Sequence, residues 1–585
     1  MLPRGESSAD AVLELVGETG VGYAAPGSRH DPMSNAKLLA VSVERFKSFE
    51  HNTRVEFAPL TIILGRNNSG KSTLIQSLLL LKQTLRDVTP EVMLRLDGTV
   101  DAFNLRELTF GWPAAGDPRS GESYPDRTRG PTITVEWECE VDVKSVIGQL
   151  RGADLDNLAR HSRIPWLASP PDRRVLRTAM TLETVEVTGT ASISLITLTS
   201  GEGEQQASIK VFVGGLFSSP SRNINLENPN HLFWNGELAR DINVEFDHFI
   251  PYLYIDRSRL DETDSQRSWY SAYLIVFAPA LQSLKELLTE MHYLGSTRQP
   301  PPSLFKAATT APNELGVSGE LAAQLLHRRQ RDVVHFLQPP TIPGRLDPPD
   351  QVFARPFVQA VNMVMESLSV RAPVRVEDVQ EVGFRLMFGN ASLTHVGRGL
   401  GYLLPLIELG LFADPQKFTG PAQDTTLAEY QKACRSFTHI ALEEPEAHLH
   451  PKVASRLAHW LVSLAMSNRR LLVETHSDHL VRRLRGLVAR AGRGSELEAW
   501  LLANVVVLNV EQDDAGRSTV TTSRLTAEGG FGEVWPADFM DEATDEESAI
   551  YYAKLDKAES PEPPTRREDP IEMIRGEEPE SEEAP

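Results

Sequence analysis

Nine consecutive residues have the types and spacing that hold a polyphosphate. Gly65, Arg66, Asn67, Asn68, Ser69, Gly70, Lys71 and Ser72 follow the pattern G-x-x-x-x-G-K-[ST], whose glycines let backbone amides curl around phosphate, and Thr73 completes the segment. Lys71 reaches the β- and γ-phosphates of such a ligand, and the Ser72 hydroxyl is available to magnesium. Far along the chain, Ile440–Pro451 places Glu443 and Glu444 at the end of an apolar run. One carboxylate there can hold a magnesium-bound water and the next can polarise an attacking water, so we read Glu443 as the metal residue and Glu444 as the general base. The blander alternative is that Glu443, Glu444 and Glu446 mark a solvated strand end. Leu471–His479 then supplies another apolar run ending in His476, a suitable neutral hydrogen-bond partner for a γ-phosphate or a lytic water. A lone histidine is usually structural, but this one follows the paired carboxylates by one strand and one helix. His448, His450 and His479 match no standard zinc spacing and have no cysteine partners.

These residues need rigid elements to bring them together. Leu39–Glu44 and Thr53–Phe57 alternate like half-buried strands, Leu60–Leu64 is a continuous buried-type strand, and a Leu-rich helix is expected from about Lys71 to Leu85. The phosphate pattern therefore lies between a strand and a helix. Residues 131–214 read mainly as antiparallel strands with Gly- and Pro-containing breaks. Residues 271–370 read as mostly helical, with apolar periodicity through Leu281–Met291, Glu320–Leu337 and Val352–Leu368. Strand-like runs at Val382–Phe388, Phe437–Leu442, Arg470–Glu474 and Val505–Val510 alternate with amphipathic helices, an α/β pattern that would complete the first sheet. Pro451 suits the first position of a helix, where its missing N–H is not needed.

The expected division is a flexible leader over 1–36, a first part of the phosphate-binding head over 37–112, a β-rich region over 113–270, a helical lobe over 271–370, the second part of the head over 371–540, and an acidic disordered tail over 541–585. Met33 is an alternative start. The net charge of −21 argues against a surface basic all over. About half of it is in the tail, where 16 Asp and Glu face 5 Lys and Arg, so a local basic groove remains compatible with the composition. Two cysteines, Cys139 and Cys434, are too few for a disulfide framework and fit a reducing compartment. With no signal pattern and no apolar run near the roughly 20 residues that span a bilayer, a cytoplasmic protein without membrane contact is expected.

At its phosphate loop, paired glutamates and Glu-Thr-His-Ser run, the chain resembles the ABC-ATPase superfamily branch that contains SMC, RecF-like and OLD-family ATPases. The forms Glu-Glu-Pro-Glu-x-His-Leu-His-Pro and Glu-Thr-His-Ser resemble a narrower set of bacterial ATPases that end in a domain of unknown function. Arg45–Phe49, Tyr293–Arg298 followed by Pro300, and Gly532–Phe539 extend the likeness over most of residues 37–540; the last is similar to that set's terminal Trp-Pro-x-x-Phe-Phe element. The resemblance implies an α/β P-loop NTPase of ABC-ATPase head type, a mixed sheet with an antiparallel β region and a helical lobe. Its cofactors would be ATP and Mg2+, bound between two copies of the chain. It puts Val396–Pro405 at the signature position, facing the γ-phosphate held by the opposing protomer, with Gly397 and Gly399 giving close backbone approach and Arg398 adding charge. A Gly-rich turn entering a helix is the structural alternative there. The chain departs from the pattern in three places. Glu443 stands where most ABC ATPases have Asp, although the narrower set shares the Glu. Gly401 stands where the signature usually has Ser. No Q-loop glutamine can be placed, since Gln76 and Gln83 fall in the first helix.

Three functions are weighed. The first is an ATP-driven dimeric switch acting on DNA or a DNA-associated partner, in genome maintenance or defence against foreign DNA, and it rests on the resemblance. Basic clusters at Arg328, Arg329 and Arg331 and at Arg482, Arg483 and Arg485 suit phosphate backbones, but helical arginines are more often solvated or ion-paired. The second is a regulatory ATPase controlling a separately encoded effector, which the acidic tail suits. The third, an OLD-like nuclease, needs a second carboxylate constellation after His476 that the remaining sequence lacks.

Overall fold

The computed structural model describes residues 35–112, 127–148, 150, 165–167, 169–187, 189–201, 206–214, 223–227, 242–255, 264–339, 350–380, 382–420 and 422–532. The expected leader (except its last two residues), the acidic tail and most of the Trp-Pro element lie outside these. The described residues fall within one compact unit.

The chain opens with β1 (Lys37–Glu44), β2 (Thr53–Glu56) and β3 (Leu60–Gly65), followed by the helix Lys71–Leu85. Strands β4 (Arg127–Val141), β5 (Arg174–Val187), β6 (Thr190–Ser200), β7 (Ala207–Gly214) and β8 (Asn223–Glu227) come next, then a hairpin of β9 (Ile242–Asp247) and β10 (Ile250–Ile255). The expected β region is continuous with the first two strands: β2-β1-β4-β5-β6-β7-β8 form one sheet, antiparallel at every pairing. β5 alternates buried and less buried positions because one face packs on the core. On that face Trp137 is fully buried, and its indole N–H donates to Ala280 O at 3.1 Å and Ser283 Oγ at 3.2 Å.

The segment read as mostly helical is mixed. Asp264–Val276, Ala278–Glu290, Ala322–Arg329 and Phe357–Ser367 are helices, while His292–Leu294 is β11, Val333–Leu337 is β12 and Gln351–Pro356 is β13. The apolar runs after Arg329 and before Phe357 are short and rich in Val and Phe, and they pair as an antiparallel ladder, Val333 opposite Pro356 through Leu337 opposite Val352. A short apolar run has no period of its own, so tertiary pairing decided between helix and strand. Likewise β14 (Val374–Val379), β15 (Gly383–Phe388) and β16 (Ala391–Ser392) form a separate three-stranded sheet, so the Val382–Phe388 run does not extend the first sheet. β17 (Thr425–Thr426) adds to the β12-β13 pair.

The second half supplies β18 (Thr438–Glu443), β19 (Arg469–Glu474), β20 (Val505–Gln512) and β21 (Ser518–Arg524), with helices Arg398–Phe412, Pro451–Met466, Asp478–Arg490 and Glu496–Asn504. These close a six-stranded sheet of order β11-β18-β19-β3-β20-β21, parallel throughout except for the antiparallel edge strand β21. β3 is buried at all six positions between β19 and β20, which is why it reads as an unbroken apolar run. Residues of both sheets and of the helices Lys71–Leu85 and Ala278–Glu290 share one hydrophobic core.

A polar knot ties β19 to the neighbouring elements. Fully buried Arg469 donates to Gly410 O at 3.1 Å, His335 O at 2.7 Å and Ser467 O at 3.0 Å, and lies 3.8 Å from buried Asp414. Asp414 also accepts from the His335 backbone N–H at 2.9 Å. Arg469→Leu leaves these acceptors and the Asp414 charge without their cation, so a loss of about 3–5 kcal/mol is expected. Urea unfolding of the nucleotide-free protein checks this, and a change below about 1 kcal/mol would show that the knot is not structural.

Candidate functional site

The C-terminal ends of adjacent parallel strands β3, β18 and β19 converge on one edge of the sheet, where α/β folds place ligands. The loop leaving β3 has a backbone that only small residues accept at two positions. Gly65 has φ 148°, and an added Cβ would meet Val510 O at 2.2 Å; Gly70 has φ 98°, and its Cβ would meet Ser48 Oγ at 2.5 Å and Ser518 Oγ at 2.6 Å. Asn68 also has positive φ, 65°, a conformation asparagine tolerates. Ser518 braces the loop from β21, its hydroxyl donating to Ser69 O at 2.6 Å and its N–H to Ser48 O at 2.8 Å. Ser48 falls in the Arg45–Phe49 run but had no role there, and nothing in the sequence marked Ser518, since the loop meets both only after the sheet closes. The cradle fits a phosphate: Lys71 and Ser72 open the helix Lys71–Leu85, and Lys71 Nζ donates back across the loop to Arg66 O at 2.6 Å. Burial lowers the Lys71 pKa, while Glu474 and Glu444 favour its charge.

Glu443 closes β18 and Glu474 closes β19, paired in register. Glu443 is raised above the usual carboxylate range by burial, with the Glu444 charge adding to it and hydrogen bonds from Tyr293 and Ser296 opposing it. Glu474, which the sequence reading left without a role, accepts from the Ser72 hydroxyl at 2.9 Å. Burial and then the Glu443 charge push its pKa up to about 7, against the Ser72 hydrogen bond and Lys71. A hard divalent cation fits this set, because Glu443 Oε1 and Glu474 Oε2 are buried acceptors without a hydrogen-bond partner.

Glu444 has φ 43°, a strained backbone for a non-glycine residue. It is held there by its N–H donating to Glu474 O at 2.8 Å and by Arg298 Nη2 donating to its carbonyl at 3.1 Å. Its half-exposed carboxylate lies 3.5 Å from His476 Nε2. Burial, then Lys71, lowers the His476 pKa against the opposing Glu444 charge, which favours the neutral imidazole. Glu446 is no solvated strand end: its Oε1 accepts from Thr475 Oγ1 at 2.5 Å and from the His476 N–H at 3.2 Å, fixing the turn that carries the histidine. A base beside a neutral imidazole, next to a lysine and a serine hydroxyl, can activate water against a phosphate.

The glycine-rich segment is at another part of the site. Gly397 caps the helix Arg398–Phe412, and an added Cβ there would meet nothing within 4 Å. Gly399 packs on the Glu446–His448 turn, where its Cβ would meet His448 O at 2.6 Å. Buried Arg298 links the two, donating to Tyr402 O and Glu443 O at 3.3 Å each. Pro451 takes the first helical position of Pro451–Met466, and the His450 side chain accepts from Lys452 N at 3.2 Å. The two arginine clusters are largely engaged. Arg482 pairs with Asp478 at 3.3 Å, Arg483 donates to His459 at 2.8 Å, Arg485 to Gly529 O at 2.8 Å, Arg328 to Ala308 O at 2.5 Å, and Arg329 pairs with Asp332 at 3.0 Å.

Strand, phosphate loop and helix, with the parallel core sheet that carries them, are the fold of a P-loop NTPase. Residues 37–108 and 429–481 match the AAA ATPase domain family, the two stretches that carry the phosphate loop and the paired glutamates and histidine. Solved structures that match the chain include an SMC head bound to the C-winged helix domain of ScpA (12% identity, TM-score 0.33, covering 83% of this chain and 98% of that one). Others are the SMC head domain from Thermotoga maritima (11%, 0.31, 83% and 98%) and an SMC head with an extended coiled coil bound to the C-terminal domain of ScpA from Pyrococcus furiosus (10%, 0.33, 88% and 100%). No curated protein matches the sequence. Both cysteines are buried and free, and among the described residues no helix is long and apolar enough to cross a membrane.

Proposed function

We propose that the chain is a magnesium-dependent ATPase whose two heads close on ATP, a nucleotide-driven switch in a DNA-related process such as genome maintenance or defence against foreign DNA. The observation that carries the catalytic part is the convergence of Lys71, Ser72, Glu443, Glu444 and His476 on one sheet edge, with Glu444 and His476 3.5 Å apart. In this reading the loop from Gly65 to Thr73 cradles the phosphates and Lys71 neutralises them. Ser72 and Glu443 hold the magnesium ion, which supplies charge neutralisation at the β- and γ-phosphates. Glu444 takes the proton of the attacking water, and neutral His476 orients that water or the γ-phosphate. The open helix start at Gly397, with Arg398 and Gly399, acts on the nucleotide of a second copy, as the likeness to ABC heads implies. The head is built mainly from residues 37–112 and 371–540, the β-rich region continues the sheet of β1 and β2, and β11 of the mixed segment adds the edge strand of the core sheet.

The biological setting is tested by a salt titration of DNA affinity with ATP present. Contact with phosphates makes log K fall linearly with log salt, by about 0.9 per phosphate engaged, and a steep slope is expected. Absence of affinity at low salt removes direct DNA binding. One observation favours a second reading, a regulatory ATPase that controls a separately encoded effector: the arginines of the two basic clusters mostly have intramolecular partners. Copurification from the native host then identifies the effector.

A further inference from the structure

Glu443 and Glu474 are direct neighbours across β18 and β19, and only 9% and 5% of each residue is exposed. Like charges directly opposed on neighbouring strands repel. Each residue also keeps one buried oxygen, Glu443 Oε1 and Glu474 Oε2, with no hydrogen-bond donor. The nearby ammonium groups are held elsewhere, Lys71 by Arg66 O at 2.6 Å and Lys47 by Gln76 Oε1 at 2.6 Å. Among the described residues no group of three or more His, Cys, Asp or Glu is placed to hold an ion, so an ion here takes its remaining ligands from hydroxyl, phosphate and water.

We propose that Glu474 is a second carboxylate of the divalent-cation site, and that the Glu443–Glu474 pair takes up Mg2+ or Mn2+ before any nucleotide arrives. This rests on the phosphate-loop reading, which gives the ion Ser72 and Glu443. Glu474 Oε1 accepts the Ser72 hydroxyl proton at 2.9 Å, which leaves that hydroxyl's lone pairs free for a metal. Its Oε2 joins Glu443 Oε1 as anionic oxygen ligand. Two carboxylates and a hydroxyl form an all-oxygen set suited to a hard divalent cation, with two negative charges in place of the single one a lone carboxylate supplies. The pair thereby makes ion binding precede nucleotide binding in this head.

The test is a Mn2+ titration of the full-length, nucleotide-free protein, reading the free ion by electron paramagnetic resonance. Wild type should bind one Mn2+ per chain. Glu474→Gln keeps an oxygen to accept from Ser72 but removes the charge, so its affinity should fall at least tenfold; Glu443→Gln, approaching the pair from the other strand, should fall comparably. Without metal, Glu474→Gln should melt no lower than wild type because the repulsion is gone, and Mn2+ should raise the melting temperature of wild type more than that of Glu474→Gln or Glu443→Gln. Lys71→Ala should still bind Mn2+ while losing nucleotide. If ATP binds to none of these proteins, the phosphate-loop reading fails while the ion titration is still readable. Wild-type Mn2+ affinity in Glu474→Gln, no Mn2+ uptake by wild type without nucleotide, or a destabilised metal-free Glu474→Gln overturns the proposal.

Discussion

Replacing Glu444 by Gln is expected to slow ATP turnover by a factor on the order of 100 or more while ATP is still held, because the amide keeps the side chain's shape and removes its basicity. The geometry supports this separation of binding from chemistry. Glu444 is beside His476 at 3.5 Å, whereas the proposed phosphate contacts belong to the loop and Lys71. Its strained backbone is fixed by hydrogen bonds made by its own main chain, the N–H donating to Glu474 O and the carbonyl accepting from Arg298 Nη2, which the substitution does not touch. Single-turnover hydrolysis and light scattering, each with ATP, ADP and no nucleotide, read the two effects. An ATP-dependent rise in mass for the variant, where wild type cycles back, matches a paired-head mechanism. Normal hydrolysis removes Glu444 from the base role, and lost turnover without any assembly or closure change undermines the pairing.

Lys71→Ala should raise the Kd for ATP by about 100-fold or more and abolish turnover through lost phosphate binding. Lys71 is buried, yet the charges of Glu474 and Glu444 oppose the desolvation that lowers its pKa. Removing it takes away both the cation proposed to meet the β- and γ-phosphates and a counter-charge to those two carboxylates. Titration with a fluorescent ATP analogue and steady-state phosphate release check the outcome. Survival of both affinity and turnover would falsify the phosphate-loop assignment.

The parts of this site readable from the sequence were those with local causes. Glycine at 65 and 70 is required by positive φ and by close approach of backbone and side chains, and such constraints leave their mark in the motif itself. β3 and β18 were legible because a strand buried on both faces carries an unbroken apolar run. Pro451 marked its helix start for the same local reason. The segment from 320 to 368 was misread as mainly helical because short apolar runs carry no decisive period, and the ladder between β12 and β13 involves residues the sequence does not show to be neighbours.

By itself the sequence determined a phosphate loop between strand and helix, two carboxylates and a histidine at the ends of later strands, and an α/β alternation to carry them. Only the tertiary structure decided which strand ends lie side by side. It put β19 between β18 and β3, and so brought Glu474 to the Ser72 hydroxyl and opposite Glu443. It also turned Glu446 inward to hold the His476 turn and engaged most of the basic clusters within the molecule. The physical reason is one of range. Backbone conformation and burial act through a residue's own neighbours in the chain, whereas the charge and hydrogen bonding of a buried carboxylate depend on partners set by strand order.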